Sequence, residues 1–132
     1  MNNMKYHNSK IVNCSYEEAI LKVTDELKKE GFGVLTEIDV KETLKKKIDV
    51  DFRKYKILGA CNPPLAYKAL QAEENIGVML PCNVIVQETA DGKVQVSAIN
   101  PMVAMQSVGN MALNEVAQTV TLKLQTVLNN LN

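Results

Sequence analysis

The sequence predicts an α+β fold, a two-layer sandwich in which a mainly antiparallel sheet carries helices on one face. Three observations predict it. First, segments in which apolar and polar residues alternate are interleaved with segments of helical periodicity. Second, a glycine-containing turn joins two strands late in the sequence. Third, a long apolar stripe runs along the last predicted helix. The predicted order is β-α-β-(α)-β-α-β-β-β-α. The 132 residues suit one domain spanning 1–132.

The first strand is predicted between Met4 and Cys14, from scattered apolar positions. A helix follows from Ser15, because "SYEE" has the pattern of a capping box in which Glu18 reaches back to the N-cap. Apolar residues then recur at spacings of four, three and four, and Gly31 is suited to end the helix in the left-handed conformation.

The second strand is predicted from "GVLTEIDV", where apolar and acidic residues alternate. Strict alternation places four side chains on one face: Val34, Thr36, Ile38 and Val40. Asp39 is positioned to cap a short helix with Glu42 as its partner. A connecting loop covers residues 49–53.

The central stretch, residues 55–83, predicts a buried strand from Tyr55 to Cys61. Asn62 is a good N-cap and Pro63 a good first helical residue, so a helix is predicted from there to near Glu74. The apolar run from Gly77 to Leu80 predicts another short strand, which breaks at Pro81.

The segments 83–89 and 93–99 form a predicted hairpin around "ADG". A three-residue loop with Gly92 in the left-handed position pairs Val86 with Val96 and Val84 with Ala98, giving a continuous apolar face.

Beyond the hairpin, "NP" at 100–101 repeats the helix-start signal of "NP" at 62–63, and a short turn follows through Met105. The longest helix is predicted after Gly109. Its stripe is wide, and Leu122 lies off it, so a homodimer contact through this helix is expected.

The motifs "LGACNPPLAYKAL" and "IGVMLPCNVIV", followed by a hairpin and "NP" and preceded by "GFGVLTEIDVKETL", occur in this order between residues 15 and 101. In these motifs the chain resembles the domain-of-unknown-function family 302. The resemblance implies a β-α-β(4)-α sandwich near the TATA-box-binding-protein-like folds, and dimers. It implies no biochemical function, and the fold kinship does not imply DNA binding, because function resides in sites.

Composition excludes several classes of function. Fifteen basic and fifteen acidic residues balance, so neither nucleic acid nor an anionic membrane is an expected partner. The one basic cluster, residues 45–56, is interrupted by acidic residues and is expected to be solvated. No apolar run has the length of a transmembrane helix or of a signal-peptide core, and three cysteines are an odd number, so a cytoplasmic protein with reduced thiols is predicted.

The predicted site is a cleft formed by the "CNPP" and "PCN" loops, which binds a small ligand or a partner without catalysis. In this hypothesis its six residues divide by role: the thiols of Cys61 and Cys82 line the cleft, the amides of Asn62 and Asn83 supply polar contacts, and Pro63 and Pro81 fix the loop shapes. No catalytic residue, metal or cofactor is assigned. The residues favour a binding protein over an enzyme.

Alternatives remain open. Cys61 and Cys82 suit a thiol-dependent redox or sulfur-handling protein, with Cys61 as the nucleophile and Cys82 as the resolving thiol. They also suit small buried packing residues in a purely structural dimer, which is the commoner role of free cysteines. Together with the methionines at 79, 102 and 105 they form a soft donor set of the kind that Cu(I) prefers. His7, the one histidine, lies on the first predicted strand, so a general base for a hydrolase is poorly supported.

The two predicted helix starts at "NP" offer a further alternative. A helix N-terminus can bind a carboxylate or phosphate through free backbone N–H groups. Plain capping by Asn62 and Asn100 explains the same residues.

Overall fold

The computed structural model describes residues 5–132, and there the chain forms an α+β sandwich with a five-stranded antiparallel sheet and five α-helices, which confirms the predicted fold class. The strands are β1 (His7–Val12), β2 (Gly33–Asp39), β3 (Tyr55–Cys61), β4 (Cys82–Glu88) and β5 (Val94–Ile99). The helices are α1 (Tyr16–Lys29), α2 (Val40–Ile48), α3 (Pro63–Ala72), α4 (Pro101–Ala104) and α5 (Asn114–Asn129), with 3₁₀ turns at Ile76–Met79, Met105–Val108 and Met111–Leu113. Met4, at which the first predicted strand starts, lies outside the described residues.

The sheet has the strand order β1-β5-β4-β3-β2, and every neighbouring pair is antiparallel. Helices α1 and α5 contact one face of the sheet and each other. On that face Leu58 lies opposite Val84, and Val84 lies opposite Ala98. All three are buried, so the core occupies the space between this face and the helices. The opposite face of the sheet, called the open face below, carries the other set of alternating side chains.

The helix caps and the hairpin turn predicted from the sequence are present at the predicted residues. The Ser15 side chain accepts a hydrogen bond from the backbone N–H of Glu18, and the Glu18 side chain accepts from the Ser15 backbone, which completes the capping box. The hairpin has the predicted register, and Gly92 holds its turn with a φ of 82°. Asp39 caps α2 by accepting from the N–H of Glu42.

The strand predicted at Gly77–Leu80 is wrong, because this segment is the 3₁₀ turn Ile76–Met79. The backbone N–H groups of Val78 and Leu80 donate to carbonyls three residues earlier, so they need no partner strand. Ile76, at the start of this turn, is buried, Met79 and Leu80 pack against the core, and Val78 is 86% exposed. The segment therefore does not present one apolar face to a sheet.

The alternation predicted for the second strand is also partly wrong. A bulge at Leu35 places Val34 opposite Ala60 and Thr36 opposite Gly59, two consecutive residues of β3. A bulge inserts one residue and reverses the faces beyond it. Val34 therefore packs with the core, whereas Thr36 shares the open face with Gly59. Val40, the fourth residue of the predicted face, begins α2.

Candidate functional site

An apolar cavity of about 280 Å³ lies at the end of the sheet where β3 stops and β4 starts. The sheet, α3, α4 and α5 all contribute to its wall. The lining residues are Phe32, Leu35, Thr36, Ala60, Cys61, Asn62, Leu65, Ala66, Ala69, Leu80, Pro81, Cys82, Pro101, Met105, Val116, Ala117 and Val120. Leu35 and Thr36 are exposed, so they form the outer end of the cavity.

The structure brings together four of the six residues predicted for the site. Cys61, Asn62, Pro81 and Cys82 line the cavity because β3 and β4 are paired neighbours, with Ala60 opposite Cys82. The "CNPP" and "PCN" segments therefore lie next to each other at the same end of the sheet.

The other two predicted residues lie outside this cavity. Pro63 is an exposed residue in the first turn of α3. Asn83 is exposed on the open face, where it lines a different groove. The alternation of β4 explains this, since Cys82 and Asn83 are consecutive and must point to opposite faces of the sheet.

Both polar atoms of the Asn62 side chain are engaged in hydrogen bonds within the protein. Its Oδ1 accepts from the backbone N–H of Leu65 at 3.3 Å, which caps α3, and its Nδ2 donates to the Glu30 carbonyl at 3.3 Å. One side chain thus joins the start of α3 to the end of α1. The Asn62 amide therefore forms part of the cavity wall and offers a ligand no polar atom that lacks a hydrogen-bond partner.

The N-terminus of α3 presents no backbone N–H for an anion. Pro63 and Pro64 have none, the N–H of Leu65 donates to the cap, and the N–H of Ala66 donates to the Asn62 carbonyl at 2.9 Å. Anion binding at this terminus is therefore contradicted, and plain capping accounts for "CNPP".

The N-terminus of α4 is closed in the same way. Pro101 has no N–H, Met102 donates to Asn100 Oδ1 at 3.1 Å, and Val103 donates to the Asn100 carbonyl at 3.1 Å. Asn100 is also buried and donates from Nδ2 to the Lys5 carbonyl at 3.2 Å. It fastens the chain before β1 to the end of β5.

Pro81 is packed against a glycine that has no space for a side chain. The peptide bond between Leu80 and Pro81 is cis. A Cβ placed on Gly59 would lie 2.8 Å from Pro81 Cγ and closer still to Thr36 Oγ1. Glycine at 59 therefore lets the "PCN" segment and the β2 edge approach β3 from the open side.

The Cys82 thiol lies in an apolar environment. Burial raises the pKa of the Cys82 thiol to about 11, and charge on Cys61 raises it in the same direction. Cys82 is thus a protonated, apolar lining group at neutral pH. Cys14, the third cysteine, is half-buried and packs against the core near α1.

The soft donors do not form one cluster in the cavity. Met105 lines the wall with both thiols, while Met79 packs against the hydrophobic core. Within residues 5–132, no group of three or more histidine, cysteine, aspartate or glutamate side chains is arranged to hold a metal ion. His7 lies in β1, and its Nδ1 is 2.9 Å from Ser9 Oγ, on a strand that does not contribute to the cavity.

The basic cluster is engaged by nearby carboxylates. Lys45 is paired with Asp49 at 2.9 Å and Asp51 at 3.3 Å, and Lys46 with Glu42 at 3.3 Å. These five side chains are exposed, so the part of the cluster on α2 is solvated, whereas Lys56 is partly buried beside Glu37.

Most of the cavity wall was not identified from the sequence. Alanines at 60, 66, 69 and 117 leave the space open, because a larger side chain at these places would occupy it. The signal that was available is the repetition of alanine on one side of α3, at 66 and 69. Small apolar residues are common in any core, which is why that signal was not distinctive.

No helix among residues 5–132 has both the length and the apolar character needed to span a bilayer.

Comparisons with known proteins agree with one another. The family model for a domain of unknown function, DUF302, matches residues 8–131. The crystal structure of an uncharacterized conserved DUF302 protein from Bacillus stearothermophilus is similar along 98% of this chain and 100% of its own, with a TM-score of 0.91 and 29% sequence identity. No curated protein matches the chain.

Proposed function

The chain belongs to the DUF302 family, and we propose that it binds a small apolar molecule in the cavity between β3, β4, α3 and α5, without catalysing a reaction. One observation carries this proposal: a cavity of about 280 Å³ has a lining that is apolar almost throughout. Cavities of this size and character are the usual form of small-molecule sites.

The polar atoms near the cavity support an apolar ligand. Asn62 uses both ends of its amide within the fold. The N-terminus of α3 offers no free N–H, and burial keeps Cys82 protonated. A charged ligand group in this space would lose its hydration without gaining a partner, which is strongly unfavourable.

The size of the cavity sets the scale of the ligand. An apolar cavity of about 150 Å³ in a protein core is known to stay dry and to bind benzene. The present cavity is nearly twice that volume, so it suits a substituted aromatic ring or a short branched hydrocarbon chain. Its outer end lies at Leu35 and Thr36, where such a molecule would enter.

The proposal is tested by titrating the protein with toluene and n-butylbenzene while following methyl resonances by NMR. We expect saturable shifts at Leu65, Val116 and Val120, which line the cavity, and none at Ile11, which lies on the open face of β1. Shifts that are absent at saturating probe, or spread evenly over the protein, contradict the proposal.

A thiol-dependent function is the second candidate, because Cys61 and Cys82 line one cavity. In this candidate Cys61 is the nucleophile and Cys82 the resolving thiol, and the raised pKa of Cys82 disfavours the resolving step, because that step also requires a thiolate. Alkylation rates of each cysteine in the folded protein separate the two functions. Fast labelling of Cys61 relative to Cys14 would favour thiol chemistry, and silence of both cavity thiols would favour binding.

We also propose that the protein forms a homodimer. Exposed apolar side chains on the two helices that cover the sheet support this proposal. Leu122 of α5 is 64% exposed, and Leu21 of α1 is 72% exposed. Exposed apolar surface of this kind is typical of partner contacts when it is contiguous. Light scattering after size exclusion measures the state directly.

A further inference from the structure

The open face of the sheet carries a groove of about 390 Å³, on the other side of the sheet from the helical layer. Its lining comes mainly from the three strands β1, β5 and β4. The polar lining residues are His7, Ser9, Asn83, Gln87, Gln95 and Ser97. Unlike the apolar cavity, this groove is rich in hydroxyl and amide groups.

A chain of hydrogen bonds organises one end of the groove. Ser9 lies directly opposite Ser97 in the sheet, and their Oγ atoms are 2.7 Å apart. His7 Nδ1 lies 2.9 Å from Ser9 Oγ. Ser97 is only 7% exposed, so a buried hydroxyl is held in place beneath the groove. Buried hydroxyls need partners, and this network supplies them while leaving His7 Nε2 for a ligand.

The other end of the groove is organised by Arg53. Its Nε and Nη2 both donate to Gln87 Oε1, at 3.1 and 3.0 Å. The guanidinium lies over the rings of Phe52 and Tyr55, 4.5 and 5.6 Å from their centroids. These contacts fix the orientation of the Gln87 amide, so its NH₂ group remains as a donor. The paired residue Gln95 adds a second amide beside it.

We propose that this groove binds a neutral polyhydroxylated molecule of mono- or disaccharide size. Its lining contains no carboxylate and no amine. The guanidinium of Arg53 at its end is already held by Gln87 and by two aromatic rings, so the lining itself offers no charged partner to an ionic ligand. Amides, hydroxyls and an imidazole offer both donors and acceptors, which is what a ligand with many hydroxyls requires.

The apolar part of the lining fits the same ligand class. Ile85 lies opposite Ser97 in the sheet, Ile99 lies opposite His7, and Tyr55 lies opposite Gln87, so apolar and aromatic side chains are interspersed with the polar ones along the groove. A sugar ring presents C–H groups on its faces and hydroxyls at its rim, so it uses an apolar or aromatic surface together with surrounding polar groups. The groove is separate from the apolar cavity, because no residue lines both.

The test is a ¹⁵N NMR titration of the protein with glucose, N-acetylglucosamine and maltose, with glucose 6-phosphate as a charged comparison. We expect saturable shifts in β1, β4 and β5 for at least one neutral sugar, and weaker binding of the phosphate ester. Gln87→Leu is expected to weaken binding about tenfold, the effect of about 1.4 kcal/mol. Ala117→Leu, which changes the other cavity, is the matched control and should leave sugar binding unchanged.

Two results overturn the proposal. One is the absence of saturable shifts with all three neutral sugars in protein whose spectrum is well dispersed. The other is a set of shifts in β1, β4 and β5 that depends on protein concentration and not on sugar, because the face would then be a contact between copies of the chain. If Gln87→Leu does not fold, Gln95→Leu provides the same comparison.

Discussion

Filling the apolar cavity tests whether the space is real and whether it is the site. Ala117 of α5 is 3% exposed and lines the cavity. The substitution Ala117→Leu adds three carbon groups that project into this space, and leucine is nearly as good a helix former as alanine. The backbone of α5 is therefore undisturbed, and the effect of the substitution comes from the cavity.

The expected magnitude follows from the added apolar groups. Each buried CH₂ contributes about 0.8 kcal/mol, so three groups contribute roughly 2.4 kcal/mol. Fixing the leucine side chain costs about 0.5–1 kcal/mol of rotamer entropy. We expect Ala117→Leu to raise the free energy of unfolding by about 1–2 kcal/mol. Urea denaturation measures this change, with an unchanged m-value as the condition for comparing midpoints.

Whether Ala117→Leu raises or lowers the free energy of unfolding shows whether the cavity is real. In a core without free space, the same substitution overpacks the interior and destabilises by about 1–3 kcal/mol. Ala112→Leu, at an exposed position outside the cavity, is the matched control and should change stability little. Toluene at 100 times its wild-type dissociation constant should add about 2.7 kcal/mol to the wild type and clearly less to Ala117→Leu at the same concentration, because the leucine fills part of the cavity. A destabilised variant, or one that toluene stabilises as much as the wild type, refutes the reasoning.

The remaining predictions concern single contacts. Gly59→Ala should destabilise by about 1–3 kcal/mol in thermal or urea unfolding, because its Cβ has no room, while Gly33→Ala, with nothing within 4 Å, should be tolerated; equal costs would contradict this. Folding raises the pKa of the Cys82 thiol from 9.0 to about 11, so this thiol contributes about 2–3 kcal/mol to the free energy of unfolding below pH 9, and that contribution is lost as the pH rises to 11. Cys82→Ala should flatten the pH dependence of the unfolding free energy over this range, and an unchanged slope would count against the prediction. Asn62→Ala should lower the free energy of unfolding by about 1–2 kcal/mol through loss of the α3 cap, and a neutral result in urea titration would refute the capping role. Leu122→Lys should convert a dimer to a monomer in light scattering, and a persistent dimer would place the interface elsewhere.

Elements with local signals were predictable from the sequence. The capping box at Ser15, the cap at Asn62 and the left-handed Gly92 each act on their own few residues, so no distant partner is needed to identify them. The turn at 76–79 and the bulge at Leu35 were not predictable in this way. Both depend on which strands pair and on where the partner ends, and an apolar run alone does not contain that information.

The residues of the candidate site also fall into those that the sequence could predict and those that it could not. Cys61 and Cys82 could be expected to lie at one cavity because Cys61 ends β3, Cys82 begins β4, and these two strands are antiparallel neighbours. The alanines that leave the cavity open resemble any core alanine until α3 and α5 are placed beside them. The groove on the open face depends on β5 lying between β1 and β4, since only that order brings Ser9 opposite Ser97.

The bulge at Leu35 also bears on the solubility of the protein. Strand β2 is an edge of the sheet, and edge strands offer a ladder of hydrogen bonds on which another chain can add and aggregate. A bulge interrupts that ladder and increases its local twist, so a second strand cannot continue the sheet along its full length. The bulged residue at the outer end of the cavity thus also protects the sheet against edge-to-edge association.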